Sequence, residues 1–262
     1  MAVEFTQTFD PGRRIDVLGV SIHDVNHREA LDALVGFIES GGSHRVVTPN
    51  PEIVMVARRD PGFRKILNAS DLSIPDGIGL MFAALMEGNR FRQHVRGTDL
   101  VLALAERSAS AGWRWFLLGA ADGVAAEAGA ALMERFPGLQ VVGAMAGAPD
   151  PIGDEAARQA IRDAGPVHVL LVAYGAPQQE RWIARNQDVT GVPVQIGVGG
   201  VLNFFSGRSP RAPMIFRRLE LEWAYRLVTE PWRWRRQLAL PAFAMIAFAH
   251  AITRQRRQRS AR

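Results

Sequence analysis

Val46-Val47-Thr48-Pro49-Asn50-Pro51-Glu52 runs a short β-branched strand into a turn bracketed by two prolines. Leu72-Ser73-Ile74-Pro75-Asp76-Gly77 repeats that layout further along the chain. In both places apolar residues then begin a helix, from Glu52 and from Ile78. Strand, polar turn and helix in succession form the repeating unit of a parallel sheet covered by helices. In an open α/β sheet, ligands bind just beyond the carboxyl ends of the strands, where such turns gather. The second turn carries one carboxylate, and Asp76 is therefore the leading candidate for chemistry.

The alternation continues on both sides of these turns. Residues 15–22 read as a strand and residues 28–40 as a helix closed by Gly41-Gly42. Gly97–Ala111 reads as a helix with Thr98 at its N-cap. Strands are expected at residues 115–118, 139–142, 167–173 and 194–198, and helices at 124–136, 154–164 and 178–186. The strands are continuous apolar runs, the pattern of a sheet buried on both faces. The expectation is a Rossmann-like, mostly parallel α/β sheet with helices on both faces over residues 1–206. Residues 207–262 read as a basic, helical C-terminal appendage, with two helix-like stretches separated at Glu230-Pro231.

Composition narrows the chemistry. The chain has no cysteine, which removes disulfides, thiolate metal sites and thiol nucleophiles together. His23 and His27 have the spacing of a helical zinc pair, but a strand runs into them, so no metal site is expected. From Gly207 onward there are thirteen arginines and three glutamates, a surplus of ten that leaves the preceding residues at −5 against a net +5. Lys65 is the only lysine. Arginine suits bidentate contact with phosphate. Residues 1–11 are polar and acidic, unlike a secretory leader, and no apolar run approaches the roughly 20 residues needed to cross a bilayer. Residues 238–252 are apolar and flanked by arginines on both sides, which fits a segment lying in an anionic membrane interface. The competing reading is a helix packed on the body.

Three more turns bear glycine at strand ends. They are Gly119-Ala120-Ala121-Asp122-Gly123, Gly175-Ala176-Pro177-Gln178-Gln179-Glu180 and Gly197-Val198-Gly199-Gly200. Glycine permits close backbone approach, and a following helix offers free N–H groups to phosphate or sugar hydroxyls. The chain has neither a D-x-D metal motif nor a G-x-S-x-G nucleophile elbow. A turn carboxylate with many arginines suits transfer onto a hydroxyl with a diphosphate leaving group. The carboxylate takes the proton, and fixed cations hold the departing charge.

These motifs resemble the bacterial WecG/TagA/CpsF glycosyltransferases. Besides the turns above, the resemblance includes Arg96-Gly97-Thr98-Asp99-Leu100, Arg211-Ala212-Pro213, Glu222-Trp223-Ala224-Tyr225-Arg226-Leu227 and Glu230-Pro231-Trp232-Arg233. It implies an inverting enzyme that needs neither metal nor cofactor. Such an enzyme moves a sugar from a UDP-sugar donor to an undecaprenyl-diphosphate-linked acceptor. It works at the cytoplasmic face of the inner membrane; the arginine-flanked segment at residues 238–252, read from composition, adds an anionic membrane surface as a partner, and a homo-oligomer is left open. By position, Asp76 matches the family's catalytic base. Thr48, Asn50, Arg96, Gly175 and Gln179 match substrate-contacting positions, and Arg226, Arg233 and Arg236 match arginines that the appendage brings over the pocket. Gln178 stands where lysine is common, and Ala224 replaces a bulkier residue. The alternative is a nucleotide- or nucleic-acid-binding protein with a basic tail. The apolar segment at residues 238–252 argues against a nucleic-acid partner, which has no use for it.

Overall fold

The chain opens with a hairpin rather than the single strand expected over residues 15–22. β1 (Arg14–Val17) pairs antiparallel with β2 (Val20–His23). Leu18 and Gly19 turn the chain with φ of 54° and 93°, and Asp16 Oδ1 accepts the Gly19 N–H at 3.0 Å. No Asn-Gly or Asp-Gly pair marks this turn, so alternation alone read through it. The computed structural model describes residues 12–210, 212–218, 222–229, 234 and 239–260, without the side chains of 217, 218, 222, 223, 226 and 254–260.

After α1 (His27–Ser40), six strands build the main sheet: β3 (His44–Val47), β4 (Leu72–Ser73), β5 (Arg114–Gly119), β6 (Gln140–Met145), β7 (Val169–Ala173) and β8 (Val194–Gly197). Their order is β4-β3-β8-β7-β5-β6, and every neighbouring pair is parallel. Between β3 and β4 lie α2 (Pro51–Arg59) and α3 (Pro61–Asn68). α3 is not among the helices expected above, and Asp60-Pro61-Gly62 at its start is a turn-forming tripeptide. In fact Pro61 occupies the first helical turn and Asp60 Oδ1 caps the Phe63 N–H at 2.9 Å. α4 (Ile78–Met86) and α5 (Gly97–Ala111) connect β4 to β5; the cap of α5 is Arg96, not Thr98. α6 (Val124–Arg135), α7 (Pro151–Asp163) and α8 (Gln178–Thr190) join the remaining strands, and α9 (Val201–Phe205) follows β8.

Apolar residues sort these helices onto two faces. Val46 and Ile196 face α1, α5, α6 and α9 in one core cluster. Val47, one residue on and therefore on the opposite face, packs with the hairpin, α2, α3 and α4. A third cluster holds Trp182 and Ile183 of α8 and Ile161 of α7 against Phe116, Leu170 and Val172. The outer edge of β4 is covered by the hairpin, where buried His23 accepts the Ser73 N–H on Nδ1 at 2.9 Å. His23 thus belongs to a strand and His27 to a helix, so the two rings do not share a helical face.

In the appendage, α10 (Met214–Arg218) and α11 (Glu222–Thr229) precede a long helix, α12 (Ala239–Ser260). α12 is in contact with α2 and α4. One side of it, Phe243, Ala247 and Ala251, is buried, while Met245 and Phe248 on the other are 68 % and 59 % exposed. The segment read as interfacial therefore also completes the core. Among the described residues, no helix is long and apolar enough to cross a membrane.

Candidate active site

Because all six strands are parallel, every strand-end turn opens on the same edge of the sheet. The strand order then lines up the turns singled out in the sequence. Asp76 follows β4, Thr48 and Asn50 follow β3, Gly197-Gly200 follow β8, and Gly175 with Gln179 follows β7. With strands about 4.8 Å apart, these turns span roughly 15 Å. α2 leaves β3 towards one face and α9 leaves β8 towards the other. A crevice therefore opens between β3 and β8, as at the switch point of an open α/β sheet.

The two opening turns are locked together. The Ile74 N–H donates to Val47 O at 2.8 Å, and the Asp76 N–H to Pro49 O at 3.0 Å. Gly77 has φ of 119°, and a Cβ there would stand 3.1 Å from Pro51 Cδ. A Cβ on Gly79 would lie 2.7 Å from Pro51 Cγ, so α4 seats flat on the start of α2 only because this residue is glycine. Asn50 caps α2, its Oδ1 accepting the Ile53 N–H at 2.9 Å.

The Asp76 carboxylate is 34 % exposed and meets two groups from a segment far along the chain. The Val95 N–H donates to Pro75 O at 3.0 Å and ties that segment down. His94 Nε2 then lies 3.3 Å from Asp76 Oδ1, and the Gly97 N–H, first in α5, lies 3.4 Å from Oδ2. Both contacts are long for hydrogen bonds, and a carboxylate has about four acceptor sites. The carboxylate is thus oriented yet retains lone pairs for an incoming hydroxyl. Thr48 Cγ2 closes the same corner, 3.4 Å from where a Cβ on Gly97 would stand. Arg96 caps α5 next to Gly97 and is half-buried. Asp76, Thr48, Asn50 and Arg96 accordingly come together. His94 was missed in the sequence, since a lone histidine in a polar loop carries no pattern.

The other turns are joined by one side chain. Gln179 is 3 % exposed, and its Oε1 accepts the Gly175 N–H at 3.1 Å and the Gly199 N–H at 2.8 Å. A Cβ on Gly197 would stand 2.7 Å from Gln179 Nε2, so glycine there makes room for the amide. Nε2 donates to Glu180 Oε1 at 2.8 Å, which fixes the amide orientation. Arg226 lies in α11 with its side chain outside the described residues, as are Arg233 and Arg236 entirely. Among the described residues, no group of three or more histidines, aspartates and glutamates is placed to hold a metal ion.

The sequence matches the model of the WecG/TagA/CpsF glycosyl transferase family over residues 15–257. The chain belongs to this family. A Bacillus spizizenii relative is 34 % identical over 205 residues, 78 % of this chain and 79 % of its own. Relatives from Bacillus subtilis and Staphylococcus aureus are 32 % and 28 % identical, over 86 % and 88 % of this chain and 84 % and 90 % of their own. All three are named N-acetylglucosaminyldiphosphoundecaprenol N-acetyl-beta-D-mannosaminyltransferase. Family membership makes the chain a glycosyltransferase, and the crevice beside Asp76 is its candidate active site.

Glu180 of this transferase is 1 % exposed, and burial pushes its carboxyl group above the usual carboxylate range. A raised native value favours the protonated form. The stabilisation is complete below the unfolded carboxyl's titration near 4.5 and is lost as pH rises through the native one. Glu180→Gln removes the titration while keeping an acceptor for Gln179. The variant should melt above wild type at pH 8, with the advantage shrinking towards pH 4. An equal difference at both pH values in a melting series would show that Glu180 does not titrate on unfolding.

Proposed function

We propose that this transferase moves N-acetylmannosamine, or a closely similar sugar, from a UDP donor to a sugar linked to undecaprenyl diphosphate. The transfer is inverting and independent of metal and of any cofactor. The observation that carries the proposal is the Asp76 carboxylate, held by His94 and by the start of α5 at the mouth of the crevice. Asp76 takes the proton from the acceptor hydroxyl as the oxygen attacks the anomeric carbon from the face opposite UDP. The bond to the UDP oxygen breaks, and the diphosphate leaves with its electron pair. Arg96, with Arg226, Arg233 and Arg236 from the appendage, neutralises that charge in place of a metal. Thr48 and Asn50 line the acceptor side. Gly175 presents its backbone to the donor, and Gln179 holds the β7 and β8 turns at their spacing.

The substrates named for the relatives support the choice of sugar and acceptor. The arginine surplus after residue 207 supports peripheral attachment to the anionic cytoplasmic face of the membrane, at about 1 kcal/mol per basic residue near the surface. Purified protein is to be assayed with a panel of UDP-sugars and N-acetylglucosamine diphosphate on a short lipid. The expected result is UDP release with formation of a β-linked disaccharide, unchanged by EDTA. No transfer from any donor sinks the substrate assignment. Activity lost to EDTA and restored by Mg²⁺ or Mn²⁺ sinks the metal-independent route.

A further inference from the structure

α4 and α12 enclose a groove of about 870 Å³, bordered also by Leu227 of α11 and by Trp234. Pro51, Gly79, Phe82, Phe243, Ala244 and Phe248 form half of its lining, and among the described residues no charged or hydrogen-bonding side chain except the Trp234 indole borders it. Phe82, Trp234 and Phe248 are 60 %, 52 % and 59 % exposed, a concentration of aromatic surface that is costly in water. Among the described residues, a sugar, a nucleotide or a peptide backbone would find no convergent polar groups here to orient it. A flexible hydrocarbon would find a complete surface.

The position of the groove identifies the hydrocarbon. Its wall at Pro51 and Gly79 is the same contact that locks the two catalytic turns together. Pro51 directly follows Asn50, and Gly79 is three residues after Asp76. An acceptor whose hydroxyl reaches Asp76 carries its lipid one sugar and one diphosphate away, so the chain must leave the crevice close to this wall. The volume lies within the roughly 300–1,000 Å³ of pockets that enclose drug-sized molecules. That room suits the first isoprene units, not a whole polyprenyl chain, whose remainder stays in the bilayer.

We propose that the groove between α4 and α12 seats the diphosphate-proximal isoprene units of the acceptor. The proposal rests on the lipid-linked acceptor assigned above. It gives α12 a role beyond attachment: the helix forms one wall of the acceptor site, and the lipid is recognised by the protein as well as anchored in the membrane.

The test compares N-acetylglucosamine diphosphate acceptors bearing a methyl group or a farnesyl chain, below micellar concentration and without vesicles. Transfer is measured kinetically and binding by calorimetry. Wild type should favour the farnesyl acceptor in kcat/KM by at least about tenfold, mainly through KM, since burying even two methylenes is worth that factor. Its binding should show a negative heat-capacity change. Ala244 is exposed on the groove wall, so Ala244→Trp fills the space from the solvent side. This variant should lose the farnesyl preference and retain wild-type activity on the methyl acceptor. Phe82→Ser, at another exposed position, should act in the same direction and serves if Ala244→Trp melts early. Equal kcat/KM on both acceptors in wild type overturns the proposal, as does an equal fall on both in a folded variant. A variant that keeps the preference but loses vesicle binding makes the groove a seat for bilayer lipid. One that loses self-association instead makes it a face between copies. Both outcomes overturn the proposal. Farnesyl-selective binding without transfer from any UDP-sugar would keep the groove and remove the assigned reaction.

Discussion

Asp76→Asn should lower turnover by about 10²–10⁴ while leaving the melting temperature and UDP binding at wild-type values, if the carboxylate is the general base proposed above. The side chain is a third exposed and, among the described residues, makes two long contacts, so the amide replaces it without stranding a buried partner. Gly97 still donates to the amide oxygen, and the backbone ties from Asp76 to Pro49 and from Val95 to Pro75 are untouched. His94→Gln keeps a donor near Oδ1 and should lose much less than Asp76→Asn. Near-wild-type turnover in folded Asp76→Asn, measured with the matched donor and acceptor, would remove this carboxylate from the mechanism.

Ending the chain at residue 238 should destabilise the body itself. Phe243 is 3 % exposed and Ala247 fully buried against α2 and α4. A buried phenylalanine cut to alanine costs about 3–5 kcal/mol, and Phe243→Ala should sit near the lower limit because this ring also borders an open groove. Removing all of α12 should cost more. It uncovers the sides of α2 and α4 that α12 contacts, next to the turns of the candidate site. The truncated protein should bind a hydrophobic dye, unfold at lower denaturant and transfer poorly even to a soluble acceptor. Unchanged denaturant midpoints for both variants would mean that α12 is only peripheral to the core.

Much of this arrangement can be read from the residues. Pro-Asp-Gly after an apolar strand points to a turn bearing chemistry, and the unbroken run Val169–Ala173 points to a strand buried on both faces. These are local signals, each complete within a few residues. What could not be read depends on distance along the chain. Nothing near Val46 indicates that its neighbour is Ile196, so the crevice between β3 and β8 was invisible even with both turns identified. His94 reaches Asp76 only because Val95 bonds to Pro75. The buried side of α12 was hidden for another reason. Alanine, phenylalanine and isoleucine occur on nearly all sides of residues 239–252, so periodicity does not single out Phe243, Ala247 and Ala251.

The seam between β3 and β8 has a consequence for how the enzyme comes into being. It joins residues about 150 positions apart, while β5, β6 and β7 find partners much nearer in sequence. Closing so long a loop brings no reward until both strands are in place, which puts this pairing among the slow events of folding. Asp76 arrives with the early half of the chain, and Gly175 and Gln179 arrive with the late half. No nascent fragment ending before β8 therefore contains a crevice, however well its helices have formed. Recovery of sugar transfer after dilution from denaturant should follow the slowest phase and trail the return of helical signal. During synthesis, the candidate site is therefore assembled only once β8 has been made and has paired with β3.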